Sequence, residues 1–202
     1  MRIQRPALAA VLAALAALPL AAFAHVGADG AAHHDIGFVR GFLHPFTGMD
    51  HLAAMVAVGL WSALIARNGR DVLWAPLGFA GMLLVGALVG LAGVRLPAVE
   101  PMIAASLLVV GLLVVTRLRL PGPWAAALVG VFAVFHGVAH GHELAGGHGA
   151  VAAVAGMVLA TALLHAGGIA LGWALRQRSA WLPRVAGAAV AVFGATLLAQ
   201  LA

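Results

Sequence analysis

Six apolar stretches, each close to the length of a lipid bilayer, constrain the fold of this chain more than any other feature. A helix needs about 20 mostly apolar residues to cross the hydrocarbon core. The stretches run over 48–66, 72–94, 99–116, 124–140, 150–173 and 184–202. Only 8% of the 202 residues are charged, whereas a soluble domain has about 25%. The sequence therefore predicts an all-α integral membrane protein, a polytopic bundle of six transmembrane helices over 48–202.

The N-terminus has the order of regions that is typical of a secretory signal peptide. Arg2 and Arg5 precede an apolar core of Ala and Leu over 7–20, and the A-x-A pattern Ala22-Phe23-Ala24 follows. This order predicts a cleavable signal peptide over 1–24. An uncleaved first helix is the alternative.

The segment 25–47 is predicted to be periplasmic and to contain several histidines. After cleavage His25 becomes the N-terminus, where its free amine and its imidazole can chelate a metal ion together, although His-rich tracts are also found as solvated leaders. Within 36–43 the phenylalanines recur every four residues, which indicates a short interfacial helix. We expect this helix to end before Pro45, because the residue before a proline disfavours helix.

The arginines predict the orientation of the bundle. If residue 25 is outside, seven arginines lie in or beside inner loops and two lie in outer segments, in agreement with the positive-inside rule. The inner ones are Arg67, Arg70, Arg117, Arg119, Arg176, Arg178 and Arg184, and the outer ones are Arg40 and Arg95. The same orientation places eight histidines at or near the outer face: His25, His33, His34, His44, His51, His140, His142 and His148.

The first cluster of ionisable side chains lies where the first predicted span begins, at His44, Asp50 and His51. Ionisable groups at membrane depth are costly and are therefore functional by default. The positive end of the helix dipole disfavours a protonated His51, and a metal ligand has to be neutral. The pattern Thr47-x-x-Asp50 also fits a capping box with Thr47 as the N-cap, so Asp50 has a structural alternative.

The second cluster ends the fourth predicted span. His136, His140 and Glu143 are spaced by four and three residues, which places them on one helix face. Two imidazoles and a carboxylate so arranged are typical of a metal site. His142 points elsewhere, and His148 is interpreted as a solvated loop residue. His165 lies near the middle of the fifth span, where it is a ligand or proton relay on the route, or a buried histidine bonded to a carbonyl.

These two motifs resemble those of the HupE/UreJ family of nickel permeases. His44-Pro-Phe-Thr-Gly-Met-Asp50-His51 is similar to the family's first signature, and Phe135-His136-Gly-Val-Ala-His140-Gly-His142-Glu143 is similar to its second. The resemblance covers essentially the whole chain. It implies uptake of Ni²⁺, or of Co²⁺ in related members, across the bacterial cytoplasmic membrane. The family's functional residues then correspond to His44, Asp50, His51, His136, His140 and Glu143.

The expected function is therefore a metal importer and not an enzyme, with the metal as substrate and no permanently bound cofactor. Nitrogen and oxygen ligands without cysteine also suit Zn²⁺ or copper. The lipid bilayer is an expected partner, intracellular metal-trapping proteins are further candidates, and nucleic acid is not expected. A membrane haem protein is an alternative, as is a purely structural protein. A metalloprotease is disfavoured because H-E-x-x-H starting at His142 needs its second histidine at position 146, whereas the next histidine is His148.

Overall fold

A computed structural model describes residues 37–202, and all the regular secondary structure in this part of the chain is helical. The helices are α1 (Phe38–Thr47), α2 (Met49–Ile65), α3 (Trp74–Leu91), α4 (Val99–Thr116), α5 (Gly122–Leu144), α6 (Ala150–Arg178) and α7 (Trp181–Gln200), and a 3₁₀ turn (Asp71–Leu73) leads into α3. The predicted all-α class is confirmed for the described residues. The predicted signal peptide, His25 and the histidines at 33 and 34 lie outside them.

Five of these helices, α3 to α7, are individually long and apolar enough to cross a membrane. The first predicted span, 48–66, corresponds to α2, which follows α1 after a bend of 81°. Helix α2 alone has 17 residues, fewer than the roughly 20 that a bilayer requires. The molecule is therefore a multi-pass membrane protein, and residues 37–202 contain five candidate spans, or six if the bent pair counts as one broken span.

Helix α1 differs from the expected interfacial helix at its C-terminal end. It continues through Pro45 to Thr47, although Pro45 has no backbone N–H to donate within the helix. The expected capping box is wrong. Gly48 is the N-cap of α2 and makes no side-chain capping bond, whereas the hydroxyl of Thr47 donates to the carbonyl oxygen of His44 at 2.9 Å.

Helix α5 is longer at its C-terminal end than the sequence suggested. The predicted loop began at Gly141, but the helix runs on to Leu144 and includes His142 and Glu143. Gly141 is not a helix breaker here, because it packs against α3, where an added Cβ would collide with the carbonyl oxygen of Ala87.

Close helix pairs organise the bundle: α3 packs along α5, α4 along α7, and α6 along both α1 and α2. Glycines permit these approaches. A Cβ on Gly137 would meet the carbonyl oxygen of Leu83 in α3, and one on Gly168 would meet that of Val56 in α2. Each of these glycines begins a G-x-x-x-G pattern, Gly137 with Gly141 and Gly168 with Gly172, and the patterns thus serve helix packing.

One end of the bundle brings together connections that carry arginines. The indole N–H of Trp61, near the end of α2, donates to the carbonyl oxygen of Leu118 at 3.1 Å. The guanidinium of Arg117 donates to the carbonyl oxygen of Ala180 at 3.1 Å. The C-terminal ends of α2 and α4 therefore lie beside the start of α7. Helix α2 begins at the opposite end, where the two histidine clusters meet.

Candidate metal centre

Three imidazoles from three helices converge at the start of α2. His44 lies in the last turn of α1, His51 in the first turn of α2, and His140 near the end of α5. They offer one ligand atom each, and these atoms lie within 4.8 Å of one another. A bound metal ion holds imidazole nitrogens at about 2.0–2.1 Å, so small movements of the rings would bring all three onto one ion. The structure thus unites the two sequence motifs in space.

The bend between α1 and α2 produces this convergence. Because the chain turns by 81° at Gly48, the ring of His44 comes back over the start of α2. Its centroid lies 5.5 Å from that of His51 and 4.6 Å from that of His140. A Cβ on Gly48 would lie 3.1 Å from Oδ1 of Asp50 and 3.2 Å from Nδ1 of His51. A glycine therefore gives these two side chains room at the bend.

Asp50 orients His51. Its Oδ1 lies 2.8 Å from Nδ1 of His51, an ion-pair distance, although the approach lacks the alignment of a hydrogen bond. With the carboxylate on the Nδ1 side, the ring directs Nε2 at Nε2 of His140. Two facing imidazole nitrogens can share one proton or one cation between their lone pairs.

Glu143 has the corresponding position beside His140. Its Oε2 lies 3.4 Å from Nδ1 of His140, three residues earlier on α5. Each of the two facing imidazoles therefore has a carboxylate at its far nitrogen. This arrangement orients the rings of metal-binding histidines and raises their basicity. Asp50 is buried, whereas 37% of the Glu143 side chain is exposed.

His136 lies one turn deeper on α5 and is fully buried. Its Nε2 is 3.0 Å from Oγ of Ser106 in α4, and that hydroxyl already donates to the carbonyl oxygen of Ile103 at 2.6 Å. Ser106 therefore accepts a hydrogen bond from Nε2–H of His136, which leaves a lone pair on Nδ1. That nitrogen has no hydrogen-bond partner. Sequence reasoning missed Ser106, whose only signal was a polar residue inside an apolar span.

The remaining predicted residues are not part of the three-imidazole group. His165 lies deeper, on α6, and is 2% exposed. His142 is half-buried near Arg95, and His148 is exposed in the loop after α5. Within residues 37–202 the group of His44, His51 and His140 is the one set of three such side chains close enough to hold an ion.

The chain is similar to known proteins over most of its length. No solved structure matches the chain. Protein HupE of Rhizobium leguminosarum bv. viciae is 44% identical over 189 residues, which cover 93% of this chain and 94% of that protein. The family described as HupE / UreJ protein matches residues 12–197, a range that contains both motifs and all of α1 to α6. The chain belongs to the HupE/UreJ family.

Proposed function

We propose that this protein imports a divalent transition-metal ion through the group of His44, His51 and His140. The first candidate for this ion is Ni²⁺ and the second is Co²⁺. The observation that carries the proposal is the convergence of these three ligand atoms within 4.8 Å in a multi-pass membrane protein. Membership in a family of nickel and cobalt permeases supports it. The resulting function is transport and not catalysis.

The ligand chemistry supports a borderline transition metal. Neutral imidazoles suit nickel, cobalt, zinc and copper, whereas Mg²⁺ and Ca²⁺ prefer oxygen ligands. Asp50 and Glu143 supply negative charge next to the imidazoles, which offsets part of the ion's charge at a site where water is scarce. We assign both carboxylates to orienting His51 and His140, and we assign His136 to the next position below them.

The direction of transport follows from the asymmetry of charge along the bundle. The arginine-rich connections lie at the end opposite the three histidines, which by the positive-inside rule supports a periplasmic histidine end. We propose that the cytoplasmic membrane of a bacterium contains the protein and that His25 and the segment after it collect metal outside. The sequence has no ATP-binding P-loop, so inward movement follows a gradient or metal trapping by intracellular proteins.

Accumulation of metals in cells tests this proposal. Cells that lack their own nickel uptake are supplied with the wild-type protein or with His140→Ala or Asp50→Ala, and nickel, cobalt, zinc and copper are measured in the cells. We expect nickel to rise with the wild type and to return to the background level with both variants. His148→Ala is the matched control, since this histidine is exposed in a loop, and it should accumulate nickel like the wild type.

Two results would refute the import function. The first is a wild-type protein that raises none of the four metals although it is present in the membrane. The second is nickel accumulation by His140→Ala and Asp50→Ala that equals that of the wild type. A rise in zinc or copper alone would contradict the assignment of nickel while leaving metal import intact.

A further inference from the structure

Two polar side chains without hydrogen-bond partners face the interior of the bundle from the middle of α6. Thr161 is 0% exposed and His165 is 2% exposed. Oγ1 of Thr161 and both ring nitrogens of His165 have no partner. The two residues are four positions apart, so their side chains lie on the same face of the helix.

This lack of partners calls for a physical explanation. A buried polar group without a hydrogen bond costs about 1–3 kcal/mol, and more than nine in ten buried polar groups are satisfied in known proteins. A threonine inside a helix usually bonds to a carbonyl oxygen one turn earlier, as Thr116 of this chain does to Leu112 at 2.7 Å. Thr161 lacks such a bond. Its hydroxyl and the imidazole of His165 are thus both available to a third group.

The pair lies directly below the second motif. The ring of Phe79 in α3 packs against His136, with the centroids 5.7 Å apart, and against the edge of His165, with the centroids 5.3 Å apart. A single aromatic ring therefore separates the two imidazoles. His136 also has a free nitrogen, Nδ1. Available ring nitrogens thus continue inward from the three-imidazole group to His136 and then to His165.

We propose that Thr161 and His165 form an inner station, a second and weaker binding site that the transported divalent cation occupies after it leaves the three-imidazole group. This inference deepens the proposed function and rests on it. One imidazole nitrogen and one hydroxyl oxygen coordinate the ion, and water molecules complete its shell. Neither side chain is negatively charged, so the station holds the ion weakly enough to release it inward, as conduction through successive sites requires.

The inner station predicts a separation between binding and transport. Replacing His165 by Leu, or Thr161 by Val, removes an inner ligand but leaves the three-imidazole group intact. In calorimetry of the detergent-purified protein, we expect the tighter nickel-binding step, at the three-imidazole group, to keep its wild-type affinity. In nickel uptake by proteoliposomes the maximal rate should fall at least roughly tenfold, since the loss of a residue that only supports a metal ligand already costs about that much. The nickel concentration at half-maximal rate should stay unchanged.

Matched variants separate this role from packing. Thr161→Ser keeps the hydroxyl and should transport like the wild type. Thr196→Val is the control for Thr161→Val, because the hydroxyl of Thr196 is exposed and bonds to the carbonyl oxygen of Phe193 at 2.7 Å. His148→Leu is the control for His165→Leu. The amount of each variant in the membrane and its melting temperature in detergent show whether it is folded.

Four results would contradict the inner station or the import function. Wild-type rates in Thr161→Val and His165→Leu, with loss of uptake in His140→Ala, would overturn the inner station and leave the import function standing. An equal loss of rate in Thr161→Val and Thr161→Ser would also overturn it, because the hydroxyl would then be irrelevant. Weaker nickel binding at the three-imidazole group in His165→Leu would show that His165 acts on that group instead. Absence of uptake by the wild-type protein would refute the import function itself.

Discussion

The three-imidazole group and the inner station differ in what surrounds their nitrogens. In the outer group, Asp50 lies at the far nitrogen of His51 and Glu143 at that of His140. At the inner station neither nitrogen of His165 has a partner. A site with oriented ligands and adjacent negative charge can capture a dilute cation. A site with neutral, unpartnered ligands binds weakly and can pass the cation on. The difference suggests capture at one level and transfer at the other.

The two levels also differ in the part of the helices from which they are built. The three-imidazole group is built from helix ends, namely the last turn of α1, the first turn of α2 and the last turns of α5. The inner station uses the middle of α6, which is held between other helices. Because the ends of helices are less constrained than their middles, the outer imidazoles can move onto an ion, whereas His165 has a fixed position.

The largest effect is expected from removing the charge beside His51. Asp50→Asn keeps the size of the side chain but removes its negative charge, so His51 loses its orientation and the ion loses a counter-charge. Changes of this kind weaken metal affinity by about 10–100-fold. Calorimetric titration of the purified protein with Ni²⁺ measures the effect. Asp71→Asn, at the start of the 3₁₀ turn outside the histidine cluster, is the control and should bind nickel like the wild type. An unchanged affinity for Ni²⁺ in Asp50→Asn would show that adjacent charge does not distinguish the three-imidazole group from the inner station.

The next effect concerns the packing of α6 against α2, which holds His165 in position. A Cβ on Gly168, one turn from His165, would collide with the carbonyl oxygen of Val56, whereas the neighbouring Gly167 has no atom within 4 Å. Gly168→Ala should therefore lower the free energy of unfolding by about 1–3 kcal/mol, as overpacking does. Gly167→Ala should be neutral or slightly stabilising, because alanine favours helix. Thermal unfolding in detergent compares the two. Equal melting temperatures would show that α6 is not tightly held against α2.

The sequence predicted the helices, the three imidazoles and the residues beside them because all of these follow local patterns. Apolar runs mark the helices, and spacings of three and four residues place His136, His140 and Glu143 on one face. The arginine distribution placed His51 and His140 at the same face, but their contact depends on packing between residues that are far apart in the sequence, which no local pattern predicts. The separation of α1 from α2 was predicted, but the N-cap at Gly48 was missed because the local capping-box pattern indicated Thr47. Ser106 and Thr161 were missed because a single hydroxyl in an apolar run has no periodicity.

A smaller effect is expected from Ser106, which fixes the proton of His136. In Ser106→Ala the Nε2–H group of His136 loses its acceptor, so the imidazole can move its proton to Nδ1 and thereby lose the free lone pair there. The loss of one hydrogen bond is worth about 1 kcal/mol, or roughly fivefold in an equilibrium constant. We therefore expect a roughly fivefold slower uptake of nickel. Ser62→Ala is the control, because Ser62 is equally buried and donates to the carbonyl oxygen of Val72 at 2.6 Å. Similar uptake in both variants would exclude a role for the proton position.

The smallest effect is expected from Thr47, which lies in the chain between His44 and His51 of the three-imidazole group. The hydroxyl of Thr47 is exposed and donates to the carbonyl oxygen of His44 within α1, while Gly48 caps α2. Thr47→Val should therefore change the free energy of unfolding by no more than about 0.5 kcal/mol, as surface substitutions do, and leave nickel binding unchanged. Loss of a true N-cap would cost about 1 kcal/mol and would displace Asp50 and His51 together. A destabilisation of that size, with weaker nickel binding, would mean that Thr47 holds the first turn of α2 and that the outer ligands depend on this cap.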